Sequence, residues 1–182
     1  MKTDIFLILL HFIQYQAMNT FYKLIPFICI LTVTTALYAG DSLSVKTIGM
    51  ELARDIANES INACRKNGYQ VSAVVVDRNG LIQAALRDDL ASRFTLQIAE
   101  EKANSVILSG INSGEFRQSR SDIRPELNHM DGLIIMQGAL PIEMAGSRIG
   151  AIGVSGAPGG EKDEVCAQQA LDKLIDRLEF AD

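Results

Sequence analysis

Residues Gly138 to Gly160 constrain this chain more than any other stretch. They read Gly-Ala-Leu-Pro-Ile-Glu-Met-Ala-Gly-Ser-Arg-Ile-Gly-Ala-Ile-Gly-Val-Ser-Gly-Ala-Pro-Gly-Gly. Leu140, Ile142 and Met144 alternate with other residues, the period of a strand buried on one face. Ala145-Gly146-Ser147 supplies a tight turn, because glycine reaches positive φ without steric cost. Ile149 to Val154 then returns as a strand of small residues. Gly150 and Gly153 lack Cβ atoms there, so a packed helix or a ligand must approach that backbone closely, and a helix is the favoured occupant.

The rest of the order follows from periodicity. A helix is expected from Val45 to Lys66, capped by Ser42 or Ser44, with Ile48, Leu52, Ile56, Ile61 and Cys64 on its apolar face. Asn67-Gly68 ends it. Val71 to Val76 and Leu81 to Arg87 read as two strands joined at Asn79-Gly80, a strong hairpin signal. Ala91 to Leu108 carries a helical apolar stripe, and Ser113 to Arg120 reads as one more short helix. Ser121 to Met130 is polar, contains Pro125 and reads as an exposed loop. Gly132 to Gln137 is expected as a fifth strand, and a last helix follows Gly160 with acids in its first turn. The hairpins exclude a purely parallel sheet. The fold class is α+β, an antiparallel sheet packed with helices.

The first forty residues read differently. Lys23 precedes an apolar run from Leu24 to Ala39, shorter than the roughly 20 residues that span a bilayer. That is the pattern of a secretory signal peptide, with Met18 the true start and cleavage after Ala39 or Gly40. An uncleaved anchor is the rival reading. The expected organisation is therefore a signal segment over 1–40 and one domain over 41–182, periplasmic or secreted. Membrane contact is expected only through the signal segment.

The chain has 182 residues, a net charge of −5 and no tryptophan. No basic stripe interleaved with aromatics is present, which argues against nucleic acid. Cys64 and Cys166 fall on apolar helix faces and read as buried small hydrophobes. An oxidising compartment would permit a bridge, but the sequence cannot bring their Cα atoms within range. No Cys-His or Ser-His-Asp set is visible, and one histidine after residue 40 leaves little for a multi-ligand metal site. Gly153 to Gly160 lacks the Gly-Lys-Ser/Thr ending of a phosphate loop.

Several blocks together resemble the GlcG/HbpS-like haem-binding family. They are Val74-Val75-Val76-Asp77-Arg78-Asn79-Gly80-Leu81, Arg87-Asp88-Asp89, Ala99-Glu100-Glu101-Lys102-Ala103, Gly138-Ala139-Leu140-Pro141-Ile142, Ile149 to Gly156 and Asp163-Glu164-Val165-Cys166-Ala167. The resemblance implies a profilin-like five-stranded antiparallel sheet packed with helices, assembled as a homo-oligomer. It implies haem b or a related tetrapyrrole as ligand, held non-covalently, since no Cys-x-x-Cys-His is present for attachment. Other members sit in operons for glycolate or diol use. They imply the alternative of an enzyme or accessory acting on a small hydroxy acid or corrinoid. The chain departs from the family at Gly138-Ala139, where Gly-Gly is common.

His129 is the candidate iron ligand, Met130 a second and Tyr69 a third, since haem iron takes imidazole, thioether or phenolate ligands. Arg117, Arg120 and Arg124 precede His129 in one short stretch and suit the propionates, because a guanidinium fork grips a carboxylate through two bonds. The competing reading makes that stretch a solvated loop. Lys102 and Arg87 are expected in exposed ion pairs with Glu101, Asp88 or Asp89. An exported haem-binding protein that stores, senses or transfers haem is the function these readings favour, and no catalytic group is assigned.

Overall fold

The structure is a computed structural model and describes residues 42–179. The expected signal segment lies outside the described residues. Within them the chain runs α1 (Met50–Arg65), β1 (Ser72–Asp77), β2 (Ile82–Arg87), α2 (Phe94–Ser109), α3 (Ser113–Ser119), α4 (Arg124–Leu127), β3 (Ala139–Met144), β4 (Ser147–Ser155), α5 (Gly160–Lys173) and α6 (Ile175–Glu179). The four strands form one antiparallel sheet in the order β2-β1-β4-β3.

Three layers result. Ala73 and Val75 of β1 join α1 and α5 in the larger core, while Val74 and Val76 face Ala99, Ala103 and Val106 of α2. β1 is covered on both faces, which is why it reads as a continuous β-branched run rather than an alternating one. The close approach expected on β4 is that of a helix at Gly153, where a Cβ would run into the Ala99 carbonyl oxygen of α2; at Gly150 the neighbour is instead the Val76 carbonyl of β1.

Three local readings are corrected. The first helix begins at Met50 rather than Val45, with Gly49 at its N-cap, because the Ile48 N–H donates to the Ile149 carbonyl at 3.0 Å and holds that segment beside β4. The fifth strand is absent among the described residues. The amides of residues 134–136 find partners outside the sheet instead: Ile134 N–H on the Glu101 carbonyl of α2 at 3.5 Å, Ile135 N–H on the Asn128 side chain at 2.8 Å and Met136 N–H on the Ile134 carbonyl at 3.0 Å. Part of the expected loop is a one-turn helix, α4, with Pro125 in its first turn, where a missing N–H costs nothing.

Cys64 and Cys166 are not separate thiols. They form a disulfide with Cα atoms 5.3 Å apart, joining α1 to α5 across 102 residues. The helical stripes place both sulfurs in one core. Only the packing of α1 on α5 brings them together.

The expected surface pairs also differ. Lys102 is 1% exposed, and its Nζ donates to Asp163 Oδ2 at 2.8 Å and to the Val154 carbonyl at 3.0 Å. Gly138, at φ 128°, makes room for that ammonium: a Cβ there would stand 2.7 Å from Nζ. Arg87 donates to the carbonyls of Asp88, Asp89 and Ala91 rather than to a carboxylate. The Asp88 carboxylate accepts from Nη2 and Nε of Arg65, at 2.7 and 2.8 Å.

Candidate functional site

α3 and α4 form a small helical excursion between α2 and β3. Each places one arginine, Arg117 and Arg124, on the wall of a pocket of about 270 Å³. Asn128, Ile135 and Met136 complete that wall, and Gln137, Gly160 and Glu161 close it from the β3 and α5 side. Asn128 accepts the Ile135 N–H with its side-chain oxygen, which leaves its NH2 as a further donor.

The arginines of the described residues sort by partner. Arg54, Arg65, Arg120 and Arg177 pair with carboxylates. Arg78, Arg87 and Arg148 donate to backbone carbonyls, and Arg93 lies over the Phe94 ring. Among the described residues, only Arg117 and Arg124 have neither a hydrogen bond nor an ion pair nor an aromatic partner, and both line the same pocket. Two guanidinium forks beside an amide donor and two apolar side chains suit an anion with an apolar body.

Glycines shape the floor. A Cβ at Gly114 would stand 3.0 Å from the Gln137 side chain, and one at Gly160 would overlap the Gln137 carbonyl. Behind Gln137 lies Glu164, whose Oε2 is buried without a hydrogen-bond partner. Burial pushes its carboxyl above the usual carboxylate range, and the Gln137 side chain with the Gly114 and Gly138 amides offsets this only in part. Burial likewise raises Asp163, against the pull of Lys102 and the Ala157 N–H. Glu161 lays its carboxylate against Gly159 at the start of α5, so that helix end already carries an anion.

The structure thus brings together two of the three expected arginines. Arg120 leaves helical conformation at φ −120° and ψ 38°, so it does not share the face of Arg117; it pairs with Asp122 at 3.3 Å. His129 and Met130 are exposed and follow directly on Asn128 in the chain, but neither lines the pocket. Tyr69 packs against the larger core with Lys162 over its ring and does not line the pocket. Met136 and Gln137 carry no site signal in the sequence because residues 132–137 read as a strand of the sheet, and Asn128 carries none because it falls in a stretch that reads as an exposed loop. Among the described residues no three or more His, Cys, Asp or Glu side chains are grouped to hold a metal ion, and no helix is long and apolar enough to cross a membrane.

Comparison with known proteins agrees with this architecture. Residues 48–172 match the family described as haem degrading protein HbpS-like. Protein GlcG of Escherichia coli is 26% identical over 108 residues, 59% of this chain and 81% of GlcG. The crystal structure of HbpS is 30% identical, with a TM-score of 0.69, over 77% of this chain and 99% of that one. Protein ORFY of Klebsiella pneumoniae is 29% identical, with a TM-score of 0.67, over 73% of this chain and 94% of that one. A structure described as a PduOC:heme complex, 20% identical with a TM-score of 0.60 over 69% of this chain and 94% of that one, shares the fold. The family match covers more than half of the sequence and most of the described fold, and the chain belongs to the HbpS-like family.

Proposed function

We propose that this protein is an exported haem-binding protein that holds haem b, or a related tetrapyrrole, non-covalently. The observation that carries the reading is the pair of unpartnered arginines, Arg117 and Arg124, in one pocket. Family membership supports haem as the anion they meet. The pocket is too small to enclose a porphyrin, since pockets for drug-sized ligands run from about 300 Å³ upward. The arginines and the Asn128 amide would therefore hold the propionates, and Ile135 and Met136 would offer apolar contact to the ring. When bound, haem supplies a redox-active iron with axial positions open to imidazole or thioether. His129 remains the first candidate ligand; Met130 and Met136 offer softer donors.

Export is supported by the apolar segment after Lys23 and by the Cys64–Cys166 bridge, which persists in oxidising compartments. Storage, sensing or transfer by a homo-oligomer is the role this reading assigns.

Hemin titration of the wild type and of single variants tests it. A saturable Soret shift is expected in the wild type. The band should move in whichever of His129→Ala, Met130→Ala and Met136→Ala loses the axial donor. No Soret change with the wild type would end the proposal; an unchanged band in one variant retires only that ligand.

A second reading draws on the same small volume. A hydroxy acid such as glycolate fits about 270 Å³ with its carboxylate on the two guanidinium groups. Thermal-shift assays with glycolate, lactate and cobalamin separate it from haem.

A further inference from the structure

The other side of the α3–α4 excursion carries a second cavity, of about 450 Å³. Leu108 at the end of α2, Ile111, Phe116 of α3, Ile123 and Leu127 of α4 line it. Leu108 is 51% exposed, so this apolar lining opens to solvent. Ser109 and Ser119 also border it, but their hydroxyls donate to the carbonyls of Ile111 and Phe116. The one cationic group on the wall is Arg120.

Arg120 is held only loosely. Its Nε donates to Asp122 Oδ1 at 3.3 Å, and both side chains are largely exposed. Such surface pairs contribute little. Its terminal nitrogens have no hydrogen-bond partner among the described residues. A groove of aliphatic and aromatic walls with one guanidinium calls for an amphiphile with a single anionic head. Asp122 beside that guanidinium disfavours a dianion such as a phosphate monoester. It tolerates a monoanion that accepts the free side of the fork.

We propose that this groove is a binding site for a long-chain monocarboxylate, its alkyl chain along Leu108, Phe116 and Leu127 and its carboxylate on Arg120. The site is distinct from the Arg117–Arg124 pocket and does not depend on haem binding. Binding is driven by burial of methylene groups, and Arg120 selects the head group.

Isothermal titration of the full chain with dodecanoate, decanoate, octanoate and dodecan-1-ol tests this. Dodecanoate is expected to saturate at one per chain, and each pair of methylenes removed should weaken binding about tenfold. Arg120→Gln should weaken dodecanoate about tenfold and leave dodecan-1-ol unchanged. Leu108→Asp, at an exposed position that the fold tolerates, should weaken both. Three results overturn the proposal. One is no saturable binding by the wild type, including the case in which a second copy of the chain covers the groove. Another is equal affinity for dodecanoate and dodecan-1-ol. The third is loss of dodecanoate binding in Arg117→Gln with Arg120→Gln unaffected, which moves the ligand to the other pocket.

Discussion

Lys102 and Glu164 show how a charged side chain can be absorbed by the interior and still leave a trace in chemistry. Lys102 lies on the same stripe of α2 as Ala99 and Val106, three residues before and four after, and that stripe faces the sheet. The spacing was visible, but the charge argued for the surface. The partner, Asp163, comes from a helix 61 residues later, and only packing reveals it. Glu164 is the more testable case. Its folded carboxyl is raised by burial, so the native state holds its proton more readily than the unfolded chain does. Stability is therefore greatest below the ordinary carboxylate range and falls as pH rises from that range through the raised value. Glu164→Gln removes that fall. At pH 7 the variant is expected to be more stable than the wild type, whose ionised carboxylate keeps one buried oxygen without a partner. Below pH 4 the two proteins should converge. Urea denaturation at both pH values checks this.

At the scale of elements, β4 and α2 hold each other through the absence of a side chain. Gly153→Ala puts a methyl group into the Ala99 carbonyl, which is backbone and cannot rotate away. The expected loss is about 3 kcal/mol, at the upper end for overpacking, read from the denaturation midpoint. The need for a close approach at Gly153 was legible in the sequence; the identity of the approaching turn was not. The disulfide makes a second prediction. It closes a loop across 102 residues, so removing it with Cys64→Ala and Cys166→Ala together should cost about 4 kcal/mol. Chemical denaturation with and without reductant should give the wild type the same loss and leave the double variant unchanged. Helical periodicity had placed both cysteines on apolar faces but carried no information on the distance between α1 and α5. The misread strand at residues 132–137 has a similar origin. Leu133-Ile134-Ile135-Met136 has strand composition, yet Asn128 and Ile134 take its amide hydrogens before any sheet edge can.

At the largest scale, the described residues form a three-layer α+β unit with a helical excursion, α3–α4, set between α2 and β3. Both cavities proposed as binding sites border that excursion. The sequence showed three arginines close together, but not that the backbone leaves helical geometry at Arg120 or that Arg120 lines a different cavity from Arg117 and Arg124. Rotation about a two-turn helix followed by a break depends on tertiary contacts, among them Ser113 Oγ accepting the Ala139 N–H at 2.9 Å, and local spacing does not encode it. The central claim is that Arg117 and Arg124 recognise the carboxylates of a haem-like ligand. Comparing the affinities of hemin and hemin dimethyl ester, for the wild type and for the Arg117→Gln/Arg124→Gln double variant, tests it most directly. The account predicts that the ester binds the wild type at least tenfold more weakly than hemin, and that the double variant binds both alike. Equal affinity of the wild type for acid and ester, or an undiminished difference in the double variant, would contradict it.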